Sequence, residues 1–152
     1  MKNVQLTKEG FENLKSELKK LIDETKPYAI NRLHHARAMG DLKENSEYSA
    51  AKEELAFVEG RILEIEQVLR NVQIMEHNVN NSVVDIGTKV TVETDGSKIL
   101  FHIVGEFEAD PMNKKLSVTS PIGKALLGKK IGDNVNVTIP AGIKTYKIIE
   151  IR

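Results

Sequence analysis

Within the run MGDLKENSEY, residues 39–48, Asp41, Glu44 and Glu47 bring three carboxylates together inside seven residues. Carboxylates are hard oxygen ligands, suited to Mg²⁺ and poor for softer metals. Mg²⁺ takes one or two protein carboxylates and fills its remaining octahedral positions with water and phosphate oxygens. Two acids in an exposed turn therefore cannot hold such an ion tightly alone. They can complete a site whose other ligands belong to a different macromolecule, and the chemistry served would be two-metal phosphoryl hydrolysis. A plainer reading competes with this one. Asp41-Leu42-Lys43-Glu44 fits a capping box, in which two acids three residues apart satisfy backbone amides at a helix start. If Asn45 caps the helix instead, with Ser46 and Glu47 in its first turn, Asp41 and Glu44 are released from that duty.

The acids fall between two stretches with helical periodicity. From Thr7 to about Met39, apolar residues recur at Phe11, Leu14, Leu18, Leu21, Ile22, Ala29, Leu33 and Ala36. In the second stretch Tyr48, Ala51, Leu55, Val58, Ile62, Ile65, Leu69 and Val72 alternate steps of three and four, the seam of a coiled coil. Each stretch of about 30 residues would reach roughly 45 Å at 1.5 Å per residue. The connection is short enough to force an antiparallel return. A hairpin stalk results, with residues 39–43 at its tip, and a stiff stalk can carry ligands into a deep channel. Thr7 is the expected N-cap of the first helix, and Gly40 suits the position after its end, where a positive φ is cheap. Pro27 removes a backbone donor and is expected to bend that helix.

After Val72 the period changes. EHNVNNSVVDIG has the polar, asparagine-rich character of a linker. Beyond it TKVTVET, ILFHIVG, KLSVTS, NVNVTIP and TYKIIEIR alternate with period two, as strands do. Asp95-Gly96 marks a tight hairpin, Pro140-Ala141-Gly142 another turn, and one short helix is expected near Gly123–Gly128, entered through Ser120-Pro121. The expected organisation is α+β: a coiled-coil hairpin over 1–75, a linker over 76–86, and over 87–152 a small antiparallel sheet with one short helix on a face.

Composition narrows the function. The 22 basic and 22 acidic residues of this 152-residue chain cancel, which disfavours broad electrostatic binding to duplex nucleic acid. The absence of cysteine excludes disulfides and thiolate zinc sites. No signal-peptide core or membrane span is evident, so a cytoplasmic protein is expected. His34 and His35 are adjacent on a helix, do not share a face and make a poor metal pair. Arg37 and Lys52 flank the tip on opposite helices; they suit a phosphate backbone, or equally pairing with Glu47 or Glu53. Gly123 to Lys130 nearly matches a phosphate-binding loop, but Lys130 lacks the hydroxyl that Mg²⁺ needs and a strand follows instead of a helix.

ARAMGDLKENSEYSAAKEE and FVEGRI resemble the tip and second helix of the bacterial Gre family of transcript cleavage factors, and VGEFEAD and SPIGKALLGKKIGD resemble its C-terminal domain. The resemblance spans the whole chain. It implies an FKBP-like C-terminal domain that docks on the rim of the secondary channel of bacterial RNA polymerase, while the coiled coil enters the channel. Asp41 and Glu44 would then help hold a second Mg²⁺ and its water, bound jointly with the polymerase, which cleaves the RNA of a backtracked complex with its own active centre. Arg37 and Lys52 match positions the family turns toward the RNA 3′ end, and Ser120, Pro121 and Ile122 lie in the loop expected near the rim. A monomer with no nuclease activity of its own is implied. Three alternatives remain: a relative that enters the same channel and inhibits, a prolyl isomerase on the C-terminal fold, and a coiled-coil adaptor whose tip acids are freely replaceable.

Overall fold

The computed structural model describes residues 3–40, 45–75 and 83–152. The chain divides into two compact units, Phe11–Asn71 on one side and Met1–Gly10 with Val72–Arg152 on the other.

The first unit is a helix hairpin. Helix α1 (Lys8–Lys20) passes through a π turn (Leu21–Thr25) into α2 (Lys26–Ala38), and α3 (Ser46–Arg70) returns. The π turn immediately precedes Pro27, the second residue of α2. There the Lys26 N–H reaches back to the Leu21 carbonyl, so the helix runs on through a proline that cannot supply an ordinary i−4 bond. The expected disturbance at Pro27 thus takes the form of a widened turn, which also leaves Ile22 45% exposed although its spacing placed it on the apolar face. Ala29 and Ala36 of α2 and Ala51, Val58, Ile62 and Ile65 of α3 are buried. Two bidentate forks pin the register at two heights: Arg61 to Glu17 at 2.8 and 3.0 Å, and Arg32 to Glu47 at 2.7 and 3.2 Å. Each fork joins residues late on one helix to residues early on the other, which makes the pair antiparallel. Exposed pairs add little stability, but two parallel N–H···O bonds tolerate little sliding.

The second unit contains two sheets. β1 (Val4–Thr7) and β2 (Val72–Met75) form a parallel pair. Neither was expected from the sequence, and β2 takes Val72 out of the helical seam in which its spacing had placed it. Helix α3 ends at Asn71, whose N–H reaches the Val68 carbonyl. The other sheet has the order β5-β4-β3-β7-β6, built from β3 (Lys89–Thr94), β4 (Ser97–Val104), β5 (Lys115–Ser117), β6 (Asn134–Ile139) and β7 (Gly142–Ile151). All five expected strands are present, with α4 (Pro121–Leu126) as the short helix. The sheet is not wholly antiparallel, because β4 and β5 run parallel. Between them the chain makes two short 3-10 turns, Glu106–Glu108 and Pro111–Asn113, and so re-enters in the same direction. Asp95 and Gly96 have φ of +52° and +78°, as the two-residue hairpin between β3 and β4 demands. Val84 and Ile86, expected in the linker, are buried, and Val84 exchanges backbone hydrogen bonds with Gly128 and Lys129. Residues 76–82 of that linker lie outside the described residues.

Glu108 ties the start of α1 to this unit. Its carboxylate accepts the Thr7 N–H at 2.7 Å, the Thr7 hydroxyl, and the Gly105 N–H at 3.4 Å. The Thr7 hydroxyl oxygen in turn accepts the Gly10 N–H at 3.0 Å, as an N-cap does. No helix among the described residues is long and apolar enough to cross a membrane.

Candidate functional site

The far end of the hairpin is closed by residues from both helices. α2 ends with the Met39 N–H on the Ala36 carbonyl, followed by Gly40 at φ +112°, a conformation that side chains resist. α3 opens on Asn45, whose side-chain oxygen accepts the Tyr48 N–H at 3.0 Å while its amide nitrogen donates to the Ala36 carbonyl at 2.7 Å. The amide supplies the acceptor and the donor from separate atoms. An aspartate here would set a charged oxygen against a carbonyl.

α3 begins at Ser46 with Asn45 as its N-cap, one of the two starts that the sequence left open. Asp41 and Glu44 themselves, with Leu42 and Lys43, lie outside the described residues. The third acid of the cluster, Glu47, sits in the first turn of α3 and is committed to Arg32, which also pairs with Glu54. The Arg32 guanidinium holds the Glu47 carboxyl below the usual carboxylate range. A carboxyl depressed in the folded chain contributes stability that is present above its unfolded pKa and lost as pH falls through its folded pKa. The melting midpoint of the hairpin is therefore expected to drop on acidification below about pH 4.5, the ordinary value for the group. Glu47→Gln should flatten that part of the profile, which melting curves followed by circular dichroism between pH 3 and 7 would show; an unchanged slope would mean that the Arg32 fork does not hold in solution.

Arg37 in the last turn of α2 and Lys52 on α3 are both exposed, and both lie over the ring of Tyr48, at 6.0 and 5.4 Å from its centroid. Neither takes the ion-pair alternative among the described residues, since Glu47 is taken by Arg32. The sequence placed Tyr48 in the hydrophobic seam; the i, i+4 spacing to Lys52 was the available sign of its second role. His34 and His35 are exposed on α2.

The remaining candidates belong to the other unit. Ser120 caps α4, accepting the Gly123 N–H at 3.0 Å and donating to the Ser117 carbonyl at 2.7 Å. Pro121 is exposed, whereas Ile122 packs against the core. The outward surface of this loop is thus Pro121 and its neighbour Lys124. Gly123 to Lys130 is no phosphate loop: Gly123 is buried inside α4, and the next element is strand β6. Two of the aromatics that an isomerase groove would draw on, Phe101 and Tyr146, are buried in the core. Phe101 and Tyr146 meet edge to face in the core, 6.3 Å between centroids, and the cavity of about 450 Å³ in this unit is lined by Thr7, Lys8, Glu9, Met75, Gly87, Lys89 and His102.

Comparison with known proteins bears on both units. Residues 4–74 match the family model described as the N-terminal part of a transcription elongation factor, and residues 79–152 match the one described as the C-terminal part of the transcription elongation factors GreA/GreB. The chain belongs to the GreA/GreB family. Two curated relatives make the same point over full length. Transcription elongation factor GreA of Caldanaerobacter subterraneus subsp. tengcongensis is 47% identical over 99% of this chain and 98% of its own. The GreA of Thermoanaerobacter pseudethanolicus is 49% identical over the same shares. Among solved structures, GreA factor homolog 1 of Thermus thermophilus is 30% identical, with 99% of each chain covered and a TM-score of 0.46. Membership of the GreA/GreB family rests on the sequence matches.

Proposed function

We propose that this GreA/GreB-family chain is a transcript cleavage factor of bacterial RNA polymerase, acting in the cytoplasm and lending ligands to the polymerase's own active centre. The helix hairpin, read as an antiparallel coiled coil, enters the secondary channel. The five-stranded sheet with α4, read as FKBP-like, docks at the channel rim through the Ser120–Ile122 loop, with Pro121 outermost. Asp41 and Glu44 fall between α2 and α3 in sequence, and they complete the coordination of an Mg²⁺ that the free chain does not hold. When bound jointly, that ion would supply an activated water for hydrolysis of the RNA phosphodiester. Arg37 and Lys52 face the backbone of the backtracked RNA near its 3′ end.

The observation that carries this reading is the Asn45 cap. It is the start of α3 under which the sequence reading leaves Asp41 and Glu44 available as ligands, in a chain whose family membership is independent of that argument. The donor chemistry fits as well: two hard carboxylates, with the third acid of the cluster neutralised by Arg32.

The test adds the purified full chain to a stalled polymerase carrying backtracked, end-labelled RNA. The expected result is a shortened transcript with a new 3′ end from which synthesis resumes, and no cleavage of the same RNA when polymerase is absent. Slowed elongation without cleavage would replace this function with the inhibitory alternative. Cleavage of free RNA would overturn the dependence on the polymerase.

A further inference from the structure

Two cations from different helices meet on one aromatic ring. Arg37 closes α2 and Lys52 lies one turn into α3 beyond Tyr48, yet both lie over the Tyr48 ring, at 6.0 and 5.4 Å from its centroid. The π face of an aromatic ring offers each of them an attraction that holds it there. The ring is itself fixed. It is half-buried, and its backbone N–H is held by the Asn45 side chain, which also holds the Ala36 carbonyl, adjacent in sequence to Arg37. One amide thus anchors the roots of both the ring and the arginine.

We propose that Tyr48 is a positioning residue, which gathers Arg37 and Lys52 into one preordered cationic grip for the phosphate backbone of the transcript. The inference rests on the function proposed above, because it takes RNA as the ligand of the two cations. Contact with a ring face leaves the N–H donors of both cations free at their outer edges. Long basic side chains lose rotamer freedom when they close on a phosphate, and those already held on a ring lose less. Tyr48 therefore acts on affinity for the RNA-bearing complex and not on the hydrolytic step.

The experiment compares the full-length wild type with Tyr48→Leu, Tyr48→Phe and the double variant Arg37→Ala/Lys52→Ala. Transcript cleavage is measured against factor concentration at several salt concentrations. Tyr48→Leu is expected to raise the half-saturating concentration about 5-fold to 10-fold with little change in the saturating rate, a change in binding alone. It should also flatten the log–log salt dependence by about 0.7 for each single-strand phosphate that is no longer neutralised. Tyr48→Phe keeps the ring and should behave as wild type. Partial unfolding would lower the active fraction without altering the salt slope, so the slope separates positioning from stability even if Tyr48→Leu folds poorly. A wild-type slope in Tyr48→Leu, beside a defective double variant, would overturn the positioning role and leave RNA binding by the two cations standing. Equal defects in Tyr48→Leu and Tyr48→Phe would assign the effect to the hydroxyl and overturn it too. A double variant indistinguishable from wild type would remove RNA binding by these cations, and this inference with it.

Discussion

Asp41→Asn and Glu44→Gln are each expected to lower stimulated transcript cleavage about 100-fold or more, equivalent to roughly 2.7 kcal/mol of transition-state stabilisation. Both substitutions keep side-chain size and remove only the charge that a hard cation requires. α3 takes its cap from Asn45, and α2 ends on Met39 and Gly40, so the hairpin should keep its helicity and melting midpoint in both variants. Polymerase binding, read by competition with labelled wild-type protein, should likewise be unchanged. That combination distinguishes donated ligands from a structural turn. If the two variants lost binding and cleavage in parallel, the acids would be docking groups. If they cleaved normally, the adaptor alternative would gain.

Gly105→Ala is expected to be among the most damaging substitutions in the chain. A Cβ at Gly105 would fall inside the carbonyl oxygen of Gln5, which is backbone within β1 and cannot swing away as a side chain can. The backbone of Gly105 is ordinary, with φ −67°, so the requirement is for space and not for an unusual conformation. Relief means pulling β1 from its place and breaking the bonds of Glu108 to Thr7 and Gly105, at a cost of about 3 kcal/mol or more. Gly60→Ala supplies the contrast. Gly60 lies inside α3, where an added methyl would meet nothing within 4 Å, and alanine there should stabilise by about 0.5–1 kcal/mol. Urea midpoints should move in opposite directions for the two variants. A small effect at Gly105 would mean that β1 is held more loosely than the Glu108 bonds indicate.

Much of this was legible in the residues. The five alternating segments became five strands, Asp95-Gly96 became the hairpin turn it encodes, and Gly40 and Thr7 took the helix-end roles that their chemistry favours. Features that depend on distant partners were not legible. VQLT and VQIM are too short to signal strands alone, and they become strands by pairing with each other although the whole hairpin separates them in sequence. Glu108 reads as a surface acid in a turn until Thr7 is brought to it. Val84 and Ile86 were masked by the polar residues around them. At the candidate site, the sequence left Asn45 and the capping box as competing starts for α3, since both obey the same local rule. The Ala36 carbonyl on the other helix favours Asn45, whose amide nitrogen donates to it while its oxygen caps α3.

The Asn45 amide has an evolutionary corollary. It closes both helices at once, accepting the Tyr48 N–H of one and donating to the Ala36 carbonyl of the other. A lineage that exchanged this residue would disturb both arms of the rod together, so selection should guard it more strictly than a cap that serves a single helix.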